Sequence, residues 1–321
     1  MLKAHLAPPS IQRCPSSISL ATLLTIVSIF LLLVVGYVAK RAGALKPGDA
    51  AVVNSIVVNL TMPAFIFVNT YQRPLTAGMV KAPALGFGME MVVMALAYVA
   101  ARLLRLDRRT TGALMLVSAF GNTGFLGYPV VQAAFGGGRH AMLTAVMMDE
   151  FAMAAALNTV GVAVATSFAG SRFEWASMLE FLKTPLFPAT VVSLAVRNLY
   201  VPPVIVQTLT WLAAATVPLA MISIGLSLSG AAVWRRPGAL AVALVLKMAL
   251  LPVAMTLALP LTGVGGTVGK VAVLESAMPA AVFSGVIAGR FGANGPFAAA
   301  AIFVSTLLSV VAIPVVLGLL G

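Results

Sequence analysis

Charged residues are scarce in this 321-residue chain. Asp, Glu, Lys and Arg make up 9% of it, whereas hydrophobic residues make up 61% and the mean hydropathy is +1.06. Soluble domains usually carry about 25% charged residues. This scarcity excludes an ordinary soluble domain, and repeated runs of roughly 20 apolar residues indicate a polytopic membrane protein instead.

Cysteine and histidine are almost absent as well. The single Cys14 excludes an internal disulfide and a cysteine-based metal site. The two histidines, His5 and His140, both lie outside the apolar runs, so a histidine metal centre is not expected. We predict no bound metal and no cofactor.

Acidic residues are outnumbered by basic ones. The chain has 8 Asp and Glu against 20 Lys and Arg, which gives a net charge of +12. A basic excess is typical of proteins that bind nucleic acid. Here, however, the basic residues sit in short loops between apolar runs, where the rules of membrane orientation place them. We therefore predict contact with the lipid bilayer and no binding to nucleic acid.

Ten apolar spans are predicted, with short loops and no soluble domain between them. A polar N-terminal tail covers residues 1–17, a first half covers 18–167, a connector covers 168–180 and a second half covers 181–321. The spans run approximately over residues 18–39, 50–70, 79–103, 110–135, 141–167, 181–198, 204–229, 239–261, 268–290 and 296–320.

The distribution of Lys and Arg predicts the orientation. If the N-terminus is outside the cell, the cytoplasmic connections hold 12 of these residues and the outer side holds 7. Cytoplasmic loops carry the excess of Lys and Arg in membrane proteins. We predict a multi-pass protein of the inner (cytoplasmic) membrane with both termini outside.

Two spans are interrupted by residues that disfavour a helix. The fourth contains residues 121–129 (GNTGFLGYP) and the ninth contains residues 276–280 (SAMPA). In a helix interior Gly costs about 1 kcal/mol and Pro about 3 kcal/mol relative to Ala. Interrupted helices at corresponding places in two halves indicate the binding site of a secondary transporter. Kinks without a binding role are the alternative.

A weak internal repeat supports two halves. Pro63 lies 155 residues before Pro218, and the Phe-Gly pair at Phe135 lies 156 residues before the pair at Phe291. Five spans are an odd number, so the second half would be inserted upside down. The predicted fold is an all-α membrane protein of ten transmembrane helices, arranged as two inverted five-helix repeats with crossing broken helices 4 and 9.

The interruptions supply the candidate substrate site. The N-terminal end of each second half-helix would expose unpaired N–H groups and a partial positive charge, which suit a carboxylate or phosphate. Side-chain donors would come from an amide and two hydroxyls, and glycines would let a ligand approach the backbone. The predicted substrate-binding residues are Gly121, Asn122, Thr123, Gly124, Gly127, Ser276, Met278, Pro279 and Ala280.

Five ionisable residues lie within the spans, namely Glu90, Asp149, Glu150, Lys247 and Glu275. Each needs a partner or water, because a charge at the bilayer centre is costly. Glu275 is a candidate for taking up a proton or positioning a cation, with a structural carboxylate as the alternative. Lys247 is a candidate partner of Glu275 or Glu90, or a substitute for a bound ion.

Asp149 and Glu150 are neighbours in the fifth span. Adjacent side chains point about 100° apart on an α-helix, so only one of the two is expected to face the bundle easily. A position near a cavity and a position at the membrane interface both remain open for this pair.

These segments resemble the auxin efflux carrier family, which includes bacterial malonate- and malate-permease-like members and the plant PIN carriers. The resemblance rests on residues 54–67 (NSIVVNLTMPAFIF), 121–129, 217–226 (VPLAMISIGL) and 275–280 (ESAMPA), and it covers the ten-span layout. It implies a scaffold, a transport domain and an elevator-like movement of organic anions.

The plant carriers differ from this chain at two points. They often carry Pro directly after the crossover Asn, where this chain has Thr123, and they often carry a long central cytosolic loop, which is absent here. These differences favour a bacterial carrier of a small acid over a carrier of auxin itself.

Three classes of function are compatible with these features. We predict a secondary transporter, not an enzyme, that moves a small organic anion such as malonate, malate or an auxin-like acid, with H+ or Na+ as candidate coupling ions. A polytopic membrane enzyme is the second class, but Asp149 and Glu150 alone do not supply its acid pair. A channel or sensory receptor is the third. A homodimer is left open.

Overall fold

The computed structural model describes residues 20–46, 48–136, 138, 140–170, 180–228 and 236–321. The predicted tail and most of the predicted connector lie outside these residues. A single helical turn lies at Glu180–Lys183. The longer helices are α1 Leu20–Arg41, α2 Asp49–Thr70, α3 Gly78–Leu103, α4 Arg108–Ala119, α5 Tyr128–Phe135, α6 Ala141–Ala169, α7 Leu186–Ala195, α8 Pro203–Ser227, α9 Pro237–Thr262, α10 Gly266–Ser276, α11 Val282–Arg290 and α12 Gly295–Leu320.

Seven of these helices are long and apolar enough to cross a membrane, namely α1, α2, α3, α6, α8, α9 and α12. They coincide with seven of the ten predicted spans. The other three predicted spans correspond to α4 with α5, to α10 with α11, and to α7, which has only 10 residues. Across the described residues the fold is all-helical, with no strand beyond one isolated bridge.

Several of the long helices contain π turns. They lie at Val57–Thr61 in α2, at Asp149–Ala154 and Leu157–Gly161 in α6, and at Leu246–Leu250 in α9. A π turn spreads one turn over more residues than an α turn, and such turns occur frequently at functional sites. Three of the five ionisable residues within the spans, Asp149, Glu150 and Lys247, lie in these turns.

The helices pack in two groups. In the first group, α1 runs along the C-terminal half of α8, while α7 and the N-terminal half of α8 pack against the end of α2. In the second group, α3, α4, α6, α9, α11 and α12 share one apolar core. Another apolar core joins the first group to α5 and α10 and contains the fully buried Tyr128.

Two glycines bring α1 and α8 into backbone contact. A Cβ at Gly36 would lie 2.9 Å from the Cα of Ile222, and a Cβ at Gly225 would lie 2.8 Å from the backbone nitrogen of Tyr37. Any larger side chain would separate the two helices, so this pair depends on glycine at both positions.

Polar contacts tie one set of connections together. Lys40 donates to the carbonyl of Leu226 at 2.8 Å, and Arg236 forms a 2.7 Å salt bridge with Asp107. The Asn294 amide donates to the Thr110 hydroxyl at 2.8 Å. We call this set the basic end, because it also holds Arg41, Lys46, Arg102, Arg105, Arg108, Arg109, Lys183 and Arg290.

Another set of connections is tied together separately. The Tyr71 hydroxyl donates to the carbonyl of Leu199 at 2.7 Å and accepts from the backbone N–H of Val201. Lys81 donates to the carbonyl of Thr262 at 3.2 Å. These bonds link the loop after α2 to the loop after α7, and the start of α3 to the end of α9.

Candidate functional site at the crossing of the interrupted helices

Both interruptions predicted from the sequence are confirmed. Helix α4 ends at Ala119, the backbone is extended at Phe120, and a π turn at Thr123–Gly127 leads into α5. Helix α10 ends at Ser276, and the chain becomes helical again only at Val282 in α11.

The two unwound segments pair with each other. The backbone N–H of Asn122 donates to the carbonyl of Pro279 at 2.7 Å, and that of Ala281 donates to the carbonyl of Phe120 at 2.9 Å. Gly121 and Ala280 thereby form an antiparallel bridge. Each segment satisfies backbone groups that the other leaves free, which is the condition for non-helical backbone at membrane depth.

The pairing sets two helix N-termini side by side. Among the described residues, the backbone N–H groups of Thr123, Gly124 and Phe125 have no acceptor, nor do those of Val282 and Phe283. The rings of Phe125 and Phe283 meet edge to face with centroids 5.9 Å apart. Two partial positive charges therefore lie close together at the crossing.

A cavity of about 240 Å³ opens at these N-termini. Asn122, Gly124 and Phe283 line it on the side of the crossing. Asn122 is only 4% exposed, and its Nδ2 has no hydrogen-bond partner among the described residues. Residues of α2 and α7 line the opposite wall, and the cavity reaches Arg290 at the basic end.

Asp149 holds a position against the first of these N-termini. The Thr123 hydroxyl donates to Oδ1 of Asp149, and the Tyr128 hydroxyl donates to Oδ2 at 2.8 Å. A Cβ at Gly124 would lie 3.0 Å from Oδ2 of Asp149. A helix N-terminus favours a negative charge at this place. The hydroxyl predicted to bind substrate is thus engaged by a carboxyl group of the protein.

The expectation that only one of Asp149 and Glu150 faces the bundle is wrong. The two residues are only 3% and 2% exposed, and both line the cavity of about 240 Å³ at the helix N-termini, called the large cavity below. The expectation assumed regular α-helical spacing, whereas the pair opens the π turn at Asp149–Ala154, in which successive side chains diverge less. Oε1 of Glu150 has no hydrogen-bond partner within the described ranges.

A second, much smaller cavity of about 10 Å³ lies beside the crossing, lined in part by Glu90, Thr123, Lys247, Glu275 and Ser276. Lys247 donates to the carbonyl of Ser276 at 2.9 Å, so its charge caps the C-terminal end of α10. The single salt bridge among the described residues lies elsewhere, so Lys247 is not within salt-bridge distance of Glu90 or Glu275.

Glu275 is fully buried, and neither of its carboxyl oxygens has a hydrogen-bond partner in the described part of the chain. The group packs directly on Gly127, where a Cβ would lie 2.8 Å from its Cδ. Gly124 and Gly127, predicted to admit a ligand to the backbone, are therefore approached by carboxyl groups of the protein itself.

The predicted site residues divide among three places. Asn122, Gly124, Asp149 and Glu150 line the large cavity. Gly121, Thr123, Ser276 and the remaining ionisable residues line the small one. Ser276 donates its hydroxyl to the carbonyl of Val273 at 2.6 Å. Gly127, Met278, Pro279 and Ala280 lie in the crossing and line neither cavity.

Sequence reasoning missed Tyr128. Its ring stacks on Phe65 with centroids 5.8 Å apart, and its hydroxyl binds Asp149. Its position in an interrupted apolar span could have indicated a role at the site. A buried tyrosine hydroxyl usually requires a hydrogen-bond partner.

Seven candidate spans and two paired interrupted helices beside a cavity that Asn122, Asp149 and Glu150 line are the features of a multi-pass membrane transport protein. A family model described as "Membrane transport protein" matches residues 21–174 and 171–317. Because these matches cover most of the chain, the protein belongs to this family, the auxin efflux carrier family.

Curated relatives carry transporter names. An "Uncharacterized transporter" of Methanocaldococcus jannaschii is 30% identical over 294 residues, which cover 89% of this chain and 94% of that protein. Another of Methanothermobacter thermautotrophicus is 28% identical, covering 90% and 95%. A protein of Rhizobium meliloti named "Putative malonate transporter" is 28% identical, covering 88% and 90%.

Proposed function

We propose that the protein is a secondary transporter of a small organic anion, whose carboxylate docks at the crossing. One observation carries this proposal: two helix N-termini with free N–H groups and the unpartnered amide of Asn122 border a single cavity. Donors fixed in this way suit a carboxylate, because hydrogen bonds to a charged acceptor are the strong ones.

The cavity favours a small substrate. Its volume of about 240 Å³ lies below the range of about 300–1,000 Å³ found for drug-sized ligands. Arg290 lines its basic end and adds positive potential along the route from solution. The Rhizobium meliloti relative is named for malonate, and a short dicarboxylate of that kind is the substrate class we propose.

The carboxyl groups of Asp149 and Glu150 line the same cavity and would repel a substrate anion if both were ionised. We therefore propose that the substrate enters together with a proton or Na+, which compensates this repulsion. Glu275, buried without a partner behind Gly127, is the residue proposed to link the cation to the movement of the crossing.

The ten-span inverted repeat is proposed as the complete architecture. Seven of its membrane spans are the long helices. The other three are formed by α4 with α5, by α10 with α11, and by α7. The polar contacts between loops support this layout. If the loops are numbered along the chain from the one after the first span, each contact joins two odd-numbered loops or two even-numbered loops. Loops of one parity lie on the same side of the membrane in such a bundle. The basic end would then face the cytoplasm.

An elevator-like movement fits the two groups of helices. The cavity lies between α2 and α7 of the first group and α6 and α11 of the second group. Movement of the second group against the first would carry the crossing from one face of the membrane to the other. Transporter family membership supports this reading over a membrane enzyme or a channel.

Purified protein in proteoliposomes tests the proposal. Labelled malonate and other small carboxylates are offered while proton, sodium and voltage gradients are imposed separately. We expect saturable uptake of a small carboxylate, driven by one of the cation gradients. The unlabelled acid should inhibit this uptake, and its neutral amide should not. Failure of every carboxylate to accumulate, or equal inhibition by the amide, would contradict the proposal.

A further inference from the structure

A third cavity lies at the basic end, by the start of α4, whereas the crossing follows the end of that helix. It has a volume of about 450 Å³ and is formed where α3, α4 and α6 meet. We call it the arginine pocket and define it by its lining residues, Tyr98, Arg102, Arg105, Leu106, Arg108, Thr111 and Phe168.

The three arginines of this pocket are not neutralised by the described part of the chain. The nearest acid in sequence, Asp107, accepts from the backbone and hydroxyl of Thr110 and is paired with Arg236. No other salt bridge is present among the described residues. The pocket therefore presents three guanidinium groups with no acidic partner there, and guanidinium groups match phosphate oxygens bidentately.

One arginine is held by its side chain, and another has an unusual backbone conformation. Arg108 donates to the carbonyl of Ser167 at 2.8 Å and lies over the ring of Phe168. Arg105 has a φ of +51°, at the position after a helix end where glycine is usual. A non-glycine residue in this conformation is strained, and such strain is commonly retained at ligand sites.

Apart from Thr111, the remaining lining residues are apolar or aromatic, and they lie at the edge of a candidate membrane span. Tyr98 belongs to α3, one of the candidate spans, and its ring meets that of Phe168 edge to face. Leu103, at the end of the same helix, is 79% exposed. A phosphate bound by the arginines would have apolar surface directly beside it for acyl chains.

We propose that the arginine pocket binds the headgroup phosphate of an anionic membrane phospholipid. Basic pockets between transmembrane helices bind such headgroups, and each Lys or Arg near the surface contributes about 1 kcal/mol, or about fivefold in affinity. The proposal is independent of the transported substrate and of the cavity at the crossing.

The test is lipid binding to purified protein in detergent, measured by native mass spectrometry and by thermal shift. Phosphatidylglycerol is compared with phosphatidylcholine, and glycerol 3-phosphate serves as the free-phosphate arm. We expect wild-type protein to prefer phosphatidylglycerol. The double variant Arg102→Gln/Arg105→Gln should bind it about 25-fold more weakly. Arg41→Gln, an exposed arginine at the same end, is the control and should bind as wild type.

The double variant could lose binding because it folds poorly, so a second variant that does not strain the backbone is needed. Arg105→Gly places glycine at the left-handed position, so the melting temperature in phosphatidylcholine should stay equal or rise while phosphatidylglycerol binding falls about fivefold. Unchanged binding in Arg105→Gly and in the double variant would overturn the proposal. Binding of glycerol 3-phosphate as tight as that of the lipid would overturn its lipid part and assign a soluble phosphate ligand.

Discussion

At the scale of single residues, carboxyl groups and glycines define the crossing. Gly124 leaves room for Asp149, and Gly127 leaves room for Glu275. Asp149 is held by the hydroxyls of Thr123 and Tyr128, whereas neither oxygen of Glu275 has a hydrogen-bond partner among the residues that the structure describes. A buried carboxyl group without partners is costly when ionised, which is why Glu275 is the residue we propose to respond to a proton or cation.

Glu275→Gln tests this role. The substitution keeps the shape of the side chain and removes its ability to ionise. We expect a change in the transport rate, or in its dependence on pH or sodium, with nearly normal expression. Asp49→Asn, in the first turn of α2 away from the crossing, is the control. If Glu275→Gln leaves the rate and both dependences unchanged, Glu275 has only a structural role.

At the scale of helices, local residues predict much of the fold. Apolar runs predicted the long helices, and Gly and Pro predicted both interruptions. Long-range contacts were not predictable in the same way. Lys247 binds the carbonyl of Ser276 and not a carboxylate, and both Asp149 and Glu150 are buried because α6 contains π turns. A single sequence reports helical propensity and period, and it does not report which segments meet.

The contact between α1 and α8 gives a stability prediction. Gly36→Ala would place a methyl group against the backbone of Ile222, and such overpacking costs about 1–3 kcal/mol. We expect a lower melting temperature in detergent. Gly88→Ala in α3 is the matched control, because a Cβ there meets nothing within 4 Å. Equal melting temperatures for both variants would contradict the proposed close packing.

The N-terminus of α4 gives a pH prediction. Burial raises the pKa of Asp107, but hydrogen bonds from Thr110 and the charge of Arg236 outweigh it, so the pKa lies below its ordinary value. Ionised Asp107 therefore contributes its full stabilisation of the folded protein above the unfolded-state pKa of about 3.9. This contribution is lost as the pH falls through the lower pKa of the folded state.

Asp107→Ala should accordingly cost about 1 kcal/mol at neutral pH. The difference in melting temperature from wild type should persist down to a pH of about 5 and shrink below about 4. Thermal unfolding across this range measures it. A difference that is absent at neutral pH, or unchanged in strong acid, would show that Asp107 does not cap α4 in this way.

At the scale of the whole molecule, the connections fall into two sets that are tied by separate hydrogen bonds. The first set carries most of the described Lys and Arg residues, which predicts that it lies in the cytoplasm. In the proposed ten-span bundle, these two sets of connections alternate along the chain.

Cysteine accessibility tests this orientation on a Cys14→Ser background. Tyr200→Cys replaces a residue that is 81% exposed in the loop after α7, and Ala42→Cys replaces an exposed residue after α1. An impermeant thiol reagent should label Tyr200→Cys in intact cells and Ala42→Cys only after permeabilisation. The reverse pattern would place the basic end outside.

The most direct measurement of the central claim is transport by Asn122→Ala in proteoliposomes, compared with Asn59→Ala. Asn59 is an exposed asparagine of α2 whose amide already donates to the carbonyl of Ser55 at 2.8 Å. Losing a hydrogen bond to a charged ligand costs about 1.5–3 kcal/mol, or roughly ten- to a hundredfold in affinity. We predict a loss of this size for Asn122→Ala and wild-type transport for Asn59→Ala. Wild-type affinity in Asn122→Ala would show that the crossing does not bind the carboxylate.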